Sequence, residues 1–434
     1  WNSSDLSKLP IYEPGLDQII KKCRGKNLFF SSKVEESIAN ADIVFISVNT
    51  PTKQKGVGAG YASDLKWVES SAREIAKFSK NHTIVVEKST LPVKTAETIK
   101  SILNSSEQNE GIKKMNIKNN QKSFSIVSNP EFLAEGTAIN DLQKPDRVLI
   151  GGEDNYSIDL ISEIYQNWVD KEKIITTNLW SSELSKLVSN AFLAQRISSI
   201  NSISAICEAT GANINEVAKA IGTDTRIGSK FLKPGPGFGG SCFKKDILNL
   251  VYLSEYFGLP EVASFWEGVV KLNNWHQNRI SKLIVKKLFG TISGKKIAIL
   301  GFSFKANTND TRESAAITIC KELLLEGGNL KIYDPRVSSE QIEKDLRLSQ
   351  GISINNINHE GCWFFAESII DCTLGVDAVI VMTEWDEFKS LNWEKISKNM
   401  REPSWVFDTR YLLNPKDSRW PLSLLLLDYL NFFG

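Results

Sequence analysis

Apolar residues along this chain fall into one rhythm, lose it for about a hundred residues, and then resume it. Residues 42–48, DIVFISV, are a nearly continuous apolar run that ends in a polar Asn-Thr-Pro-Thr. That is the pattern of a strand buried on both faces and opening into a loop at its carboxyl end. Residues 64–79 carry a helical pattern, and 83–90, TIVVEKST, form a second strand with polar residues at its tip. A helix follows Pro92 to about Leu103. Residues 104–123 are biased towards Asn, Lys and Ser and are expected to be a flexible surface loop. Strands are expected again at the start of 124–136 and over 147–152.

From Ser181 to about Thr210 the period changes to that of one long amphipathic helix, with Leu184, Leu187, Val188, Ala191 and Phe192 on its apolar side. Ser181 or Ser182 is the expected cap, with Glu183 in the first turn and Gly211 as the stop. More helix is expected to about Leu288, broken by a loop over 230–246. At 294–296 the strand rhythm resumes with IAILGFSF, a helix over 310–327, and strands at 330–335, 377–385 and 405–410. The expected fold is α/β: two Rossmann-like doubly wound domains joined by a central helical domain with one long helix. The expected boundaries are 1–178, 179–290 and 291–434. Ligands of such sheets bind at the strand carboxyl ends.

Composition narrows the partners. The chain has 434 residues, a net charge of +1 and 24% charged residues, which argues against a nucleic-acid or membrane-surface partner. The six cysteines form no CxxC pair and three histidines accompany them. No metal site and no disulfide framework is expected. A reducing compartment follows, and with no signal peptide at the start the cytoplasm is the expected location. The most apolar segment, 421–433, is too short to span a bilayer and carries Asp428. It reads as a core or interface segment.

Candidate chemistry centres on 230–246, KFLKPGPGFGGSCFKKD. Glycines let backbone approach a ligand, and prolines stiffen the approach. Cys242, with Lys244 and Lys245 beside it, has an electropositive setting that favours thiolate. A nucleophile on a substrate-clamping loop and an incidental surface thiol are equally compatible with these residues. Residues 56–60, GVGAG, do not lie directly between a strand and a helix and read as a glycine loop rather than a dinucleotide fingerprint. Lys186 and Asn190 are four apart and share a helix face, which serves a substrate oxygen or simply faces solvent. Glu131 serves as a base or as a first-turn helix carboxylate, and Asp246 as a proton relay or an N-terminal helix charge. Arg226, Lys233, Lys305, Arg312 and Arg410 are each able to pair with phosphate or carboxylate.

VFISVNTPT (44–52), EKST (87–90), SNPEFLAEGTA (128–138), WSSELSKLVSNAFLAQR (180–196), FGGSCFKKD (238–246), ILGFSFK (299–305), DTRES (310–314) and FDTR (407–410), in this order, closely resemble the UDP-glucose/GDP-mannose dehydrogenase family. EFLAEGTA and SELSKL look most like its UDP-glucose branch. The resemblance implies oxidation of the glucose C6 alcohol of UDP-glucose to a carboxylate with two NAD+, through a thiohemiacetal and a thioester on Cys242. It gives Lys186 and Asn190 to the oxyanion, Asp246, Lys186 and Thr90 to protons and water, and Glu131 to thioester hydrolysis. Implied substrate contacts are Glu131, Phe132, Leu133, Ala134, Glu135, Lys186, Asn190, Lys233, Gly237, Phe238, Phe304, Lys305 and Arg410, with Arg226 reaching a neighbouring subunit. Implied NAD contacts are Val48, Asn49, Thr50, Pro51, Thr52, Ser89, Thr90, Leu91, Glu135, Cys242, Phe243, Lys244, Lys245 and Arg312. The second α/β domain is expected to hold UDP. A dimer-based homo-oligomer, with a hexamer among the candidates, is expected through the long helix. The family begins with a strand, a GxGxxG turn, a helix and a second strand ending in an acidic residue. This chain starts after all of them, so the first sheet is expected to lack its central strand and its domain to be unstable.

Overall fold

The structure, a computed structural model, describes residues 1–111, 122–352 and 361–413 and the backbone of 424–426. The chain forms two compact units, Trp1–Ala191 with Lys245–Trp266, and Phe192–Lys244 with Glu267–Gly434.

In the first unit, helices α1 (Leu16–Cys23) and α2 (Val34–Ala39) precede β1 (Ile43–Ile46). Then come α3 (Lys66–Phe78), β2 (Thr83–Glu87), α4 (Thr95–Gly111), β3 (Phe124–Ser128), α5 (Ala138–Gln143), β4 (Val148–Gly152), α6 (Asn155–Gln166) and β5 (Ile174–Thr177). The strands lie in the order β1-β2-β3-β4-β5, with β1 at the edge. All five positions of β2 are buried. Alternation along a strand sends Val85 into one apolar cluster with Ile46, Ala72 and Ile99, and Ile84 and Val86 into another with Ile150 and Ile161. The sheet is therefore covered on both faces, as its continuous apolar runs predict.

Several details differ from expectation. Residues 104–111 continue α4 rather than forming a loop. Polar residues propagate a helix whose buried side is already anchored by Ala96, Ile99 and Leu103. The rest of the expected loop, 112–121, lies outside the described residues. Strand β4 runs antiparallel to β3. The connection between them holds one short helix, the six-residue α5.

Helix α7 (Leu179–Thr210) begins before the expected cap. Asn178 holds that position, its Oδ1 accepting from Ser181 N at 2.8 Å. Ser182 is instead fully buried, hydrogen bonded through Oγ to Ser128 Oγ at 2.9 Å. Gly211 ends the helix with φ of 81° and its N–H on the Cys207 carbonyl at 2.8 Å, the left-handed stop that glycine permits.

Helix α8 (Ile214–Gly222) follows, then the glycine loop, α9 (Phe243–Tyr256) and α10 (Pro260–Lys287). The second unit contains β6 (Lys296–Leu300), α11 (Ala315–Leu325), β7 (Asn329–Tyr333), α12 (Ser339–Leu346), β8 (Trp363–Phe365), α13 (Ile369–Thr373), β9 (Ala378–Val381), α14 (Asp386–Lys389), α15 (Trp393–Asn399), β10 (Trp405–Asp408) and β11 (Leu424–Leu426). Its six-stranded sheet has the order β11-β10-β9-β6-β7-β8, and every pair is parallel. The order reverses between β6 and β9, the switch point at which doubly wound sheets open a crevice. The backbone approaches itself closely there. Gly301 has φ of 94°, and a Cβ on it would overlap the Thr383 side chain. Strand β11 places part of the apolar C-terminal segment at the sheet edge.

Candidate functional site

Two sets of expected site residues are built, one in each unit. In the first unit, Lys186 and Asn190 project from the same face of α7, and that face is buried: their exposures are 3% and 7%. The solvated-face reading of this pair is therefore wrong. Lys186 Nζ lies 3.1 Å from Glu131 Oε1 and 5.4 Å from the centre of the Phe132 ring. The other cation on that ring is Arg147, at 3.8 Å. Glu131 sits on a loop and not in a helix, with Oε2 accepting from Leu133 N at 2.7 Å. The same loop is pinned further along, where Ala134 N donates to Asp141 Oδ2 at 3.0 Å. Glu135 lies on this stretch. A buried ammonium is tolerated only when paired, and here the pairing fixes Glu131 relative to α7.

Asn190 Nδ2 donates to Asp246 Oδ2 at 2.6 Å. Asp246, in the first turn of α9, is 1% exposed, so it is no solvated helix-end charge. Burial raises its affinity for a proton, against the opposing pull of Lys245, Asn190 and Lys186. Lys245 Nζ is 3.4 Å from Asp246 Oδ1 and donates to Thr50 Oγ1 at 3.1 Å. Thr50 Oγ1 in turn donates to the Thr90 carbonyl at 3.1 Å, and Ser89 Oγ to the Val48 carbonyl at 2.7 Å. The loops bearing Val48, Asn49, Thr50, Pro51 and Thr52, and Ser89, Thr90 and Leu91, are thus tied side by side at the carboxyl ends of β1 and β2. Leu91 itself points into the core, at 3% exposure.

In the second unit the glycine loop is clamped by side chains. Gly235 N donates to Asn201 Oδ1 at 3.0 Å, and Asn273 meets both the N–H and the carbonyl of Phe238, at 2.8 and 3.1 Å. His276 Nε2 lies 2.9 Å from the Gly235 carbonyl. Burial pushes the His276 imidazole down to about 4, so it is neutral near pH 7 and carries its proton on Nε2. Gly237, at φ of 113°, leaves no room for a Cβ beside Asn273 Oδ1. Gly240 has φ of 83° and lies against the Phe304 ring, with its N–H on the Arg312 carbonyl at 2.8 Å.

Cys242 is exposed, 3.5 Å from Ser241 Oγ, and directly precedes α9, whose N-terminal dipole favours negative charge. Lys244 pairs with Glu313 at 2.8 Å and Lys245 with the groups above.

Arg410 lies at the switch point. It donates through Nε to the Met382 carbonyl at 2.8 Å and through Nη2 to the Phe304 carbonyl at 2.9 Å, with Nη1 3.0 Å from Glu384. Lys305 Nζ is 5.6 Å from the Phe304 ring centre, and the charge of Lys233 acts on Asp408. Arg312 and Arg226 are exposed and chelate Asp310 and Asp224, each at 2.6 Å.

Family models match along the chain in three stretches: a UDP-glucose/GDP-mannose dehydrogenase NAD binding domain over 2–169, a central domain over 180–275 and a UDP binding domain over 298–415. The chain belongs to this family. UDP-glucose 6-dehydrogenase 5 of Oryza sativa subsp. japonica is 53% identical over 96% of this chain and 86% of its own length. UDP-glucose 6-dehydrogenase of Drosophila melanogaster is 52% identical over 95% and 85%. Among solved structures, a UDP-glucose dehydrogenase from the archaeon Pyrobaculum islandicum superposes with a TM-score of 0.78 at 28% identity, covering 96% of this chain and 87% of that one. Among the described residues no group of His, Cys, Asp and Glu is arranged to hold a metal ion, and no helix is long and apolar enough to cross a membrane.

Sequence reasoning missed several members of these sites. Asn201, Asn273 and His276 sit on α7 and α10 with nothing in their spacing to mark them as clamps. Asp334, at the end of β7, accepts from Phe302 N at 2.7 Å, Ser303 N at 3.0 Å and Trp385 Nε1 at 3.2 Å. The only hint was an acidic residue closing an apolar run. Glu87 and Glu183 form a buried carboxyl pair, at 1% and 3% exposure. Glu183 accepts from Lys94 N and Ala96 N at the start of α4. Burial pushes Glu183 up to about 7, and Glu87 well above the usual carboxylate range.

Proposed function

We propose that this chain catalyses the NAD-dependent, two-step oxidation of UDP-glucose to UDP-glucuronate. The observation that carries the reading is the identity of about half of all positions with UDP-glucose 6-dehydrogenases along nearly the whole chain. The buried Lys186–Glu131 and Asn190–Asp246 pairs support it. The tied loops after β1 and β2 form a backbone ledge where doubly wound sheets take dinucleotides, and this fits an NAD site. The cofactor supplies the acceptor for each hydride.

In this reading the C6 hydroxyl gives its proton to the Lys186 and Asp246 set as the first hydride leaves. The Cys242 thiolate then adds to the aldehyde carbon. A C–S bond forms, and the carbonyl oxygen becomes an oxyanion met by the Lys186 ammonium and the Asn190 amide. Departure of the second hydride leaves a thioester. Water adds to it with Glu131 taking a proton, the C–S bond breaks, and carboxylate and thiol are released.

The segment 1–178 serves NAD, 179–290 carries the cysteine loop and 291–434 holds UDP, near Phe304, Lys305 and Arg410 at the switch point. Lys233, Gly237 and Phe238 join that contact. The chain acts in the cytoplasm as a homo-oligomer. Exposed Phe192 and Ile206 on α7 and Trp275 on α10, at 55%, 56% and 48%, are the kind of apolar surface such assembly covers. A panel of sugar nucleotides tests the substrate. UDP-glucose is expected to exceed GDP-mannose and UDP-N-acetylmannosamine by at least about 100-fold in kcat/KM, since a site built for one set of hydroxyls rejects analogues that leave its polar groups unpaired. Equal turnover of GDP-mannose would contradict the assignment.

A further inference from the structure

Arg410 is fixed both at its root and along its side chain, entirely by groups of the second unit. One carboxylate gathers the turn that carries it. Asp408, fully buried, accepts from Arg410 N at 2.9 Å through Oδ1, and from Leu412 N and Leu413 N at 2.7 and 2.8 Å through Oδ2. On the other side of Arg410's root, Thr409 Oγ1 donates to the Val381 carbonyl at 2.7 Å. Further out, Nε and Nη2 of the guanidinium donate to the Met382 and Phe304 carbonyls. Nη1 lies beside the glycine loop, 3.8 Å from where a Cβ on Gly235 would stand.

Glu384 meets that atom, with Oε2 3.0 Å from Nη1. This oxygen is buried and has no hydrogen-bond partner among the described residues, so charge rather than a directional bond joins the two. The root of Glu384 is pinned from both sides. Thr383, fully buried, donates through Oγ1 to the Ser303 carbonyl at 2.7 Å, and Trp385 donates through Nε1 to Asp334 Oδ2 at 3.2 Å. A guanidinium has five N–H groups. With two of them on carbonyls, Arg410 keeps donors for an anion such as a diphosphate. A carboxylate beside that site repels the same anion, so its charge alone would weaken binding.

We propose that Glu384 is a positioning residue for the nucleotide diphosphate: it holds the Nη1 end of Arg410, so that the guanidinium meets the diphosphate already oriented. Ordering a long side chain on binding is costly, and a side chain ordered beforehand avoids that cost. The gain outweighs the repulsion between Glu384 and the ligand. The inference rests on the UDP site of the reading above and adds a group that reading does not use.

Calorimetric titration of the full chain with UDP, beside steady-state kinetics with UDP-glucose, tests it. Glu384→Gln keeps the shape of the side chain and removes its charge. It is expected to raise the dissociation constant for UDP about 10-fold, and KM for UDP-glucose with it, while kcat stays within about 2-fold. Relief of repulsion alone has the opposite sign and tightens UDP. In an Arg410→Ala background the same substitution is expected to change nothing further. If Arg410→Ala does not fold, Glu384→Asp replaces that comparison: it keeps the charge one methylene short and should retain part of the affinity that Glu384→Gln loses. UDP binding that is unchanged or tighter in Glu384→Gln overturns this inference alone. So does an equal loss in the Arg410→Ala background, or a Glu384→Asp chain no better than Glu384→Gln. An unaltered chain that binds neither UDP nor UDP-glucose overturns the reading of the UDP site and the inference with it.

Discussion

The two units solve the problem of holding polar groups in opposite ways. The second unit uses topology. Its sheet reverses order between β6 and β9, and backbone is drawn tight around that point by Gly301, by the acceptor Asp334 and by the clamps on Gly235 and Phe238. Asp334, Asn201, Asn273 and Arg410 all hold backbone there. The first unit's described strands run in simple order from β1 to β5 without a reversal. Its expected site residues are instead polar side chains buried on α7 and α9, where Lys186, Asn190 and Asp246 are each under a tenth exposed. The difference teaches where stability and activity should separate: fastenings fail structurally when removed, whereas buried charges are costly to the fold and are retained for what they do.

The largest expected effect tests that separation. Lys186→Met should cut kcat by about 100- to 1,000-fold, yet cost only about 1–2 kcal/mol of stability, because the Glu131 carboxylate it leaves behind is part exposed and keeps its hydrogen bond from Leu133 N. Kinetics and thermal melting on one preparation decide it. A variant that loses its fold together with its activity would erase the contrast. In the second unit, Gly301→Ala should do the reverse. A Cβ at φ of 94° beside Thr383 should cost about 3–4 kcal/mol, seen in urea unfolding, with residual activity tracking the folded fraction.

Asn273→Ala should be intermediate. Two hydrogen bonds to Phe238 are lost, costing about 1–3 kcal/mol and raising KM for UDP-glucose more than it lowers kcat. The smallest effect concerns the Glu87–Glu183 pair. Its folded-state proton affinity is raised, so the protonated pair's contribution is fully present below the unfolded value of 4.5 and is lost as pH climbs towards about 7 for Glu183. Stability of the first unit should therefore decline across that interval, and Glu87→Gln should flatten the decline by about 1 kcal/mol. An unchanged slope in pH-dependent melting would remove the pair from the account.

Much of this was legible beforehand. The strands of both sheets announce themselves as continuous apolar runs, and α7 as a long amphipathic stretch closed by Gly211. What failed was whatever depends on a partner distant in sequence. The face shared by Lys186 and Asn190 reads as solvated until Glu131 and Asp246, both far away along the chain, are brought to it. Asn178 outcompetes Ser181 as the cap because Ser182 is needed against Ser128. Strand β4 runs antiparallel to β3, and a strand's own residues do not reveal its direction. The Glu313 and Thr50 partners of Lys244 and Lys245 likewise lie far away along the chain.

UDP-glucose oxidation by this chain is proposed to pass through Cys242. The most direct measurement is the stoichiometry of NADH formed by the purified 434-residue chain with limiting UDP-glucose and excess NAD+, beside Cys242→Ala. Two NADH for each UDP-glucose are expected, with UDP-glucuronate as the product, and no turnover to the acid in the variant although UDP-glucose still binds. One NADH per substrate with an aldehyde product, or unchanged acid formation by Cys242→Ala, would contradict it.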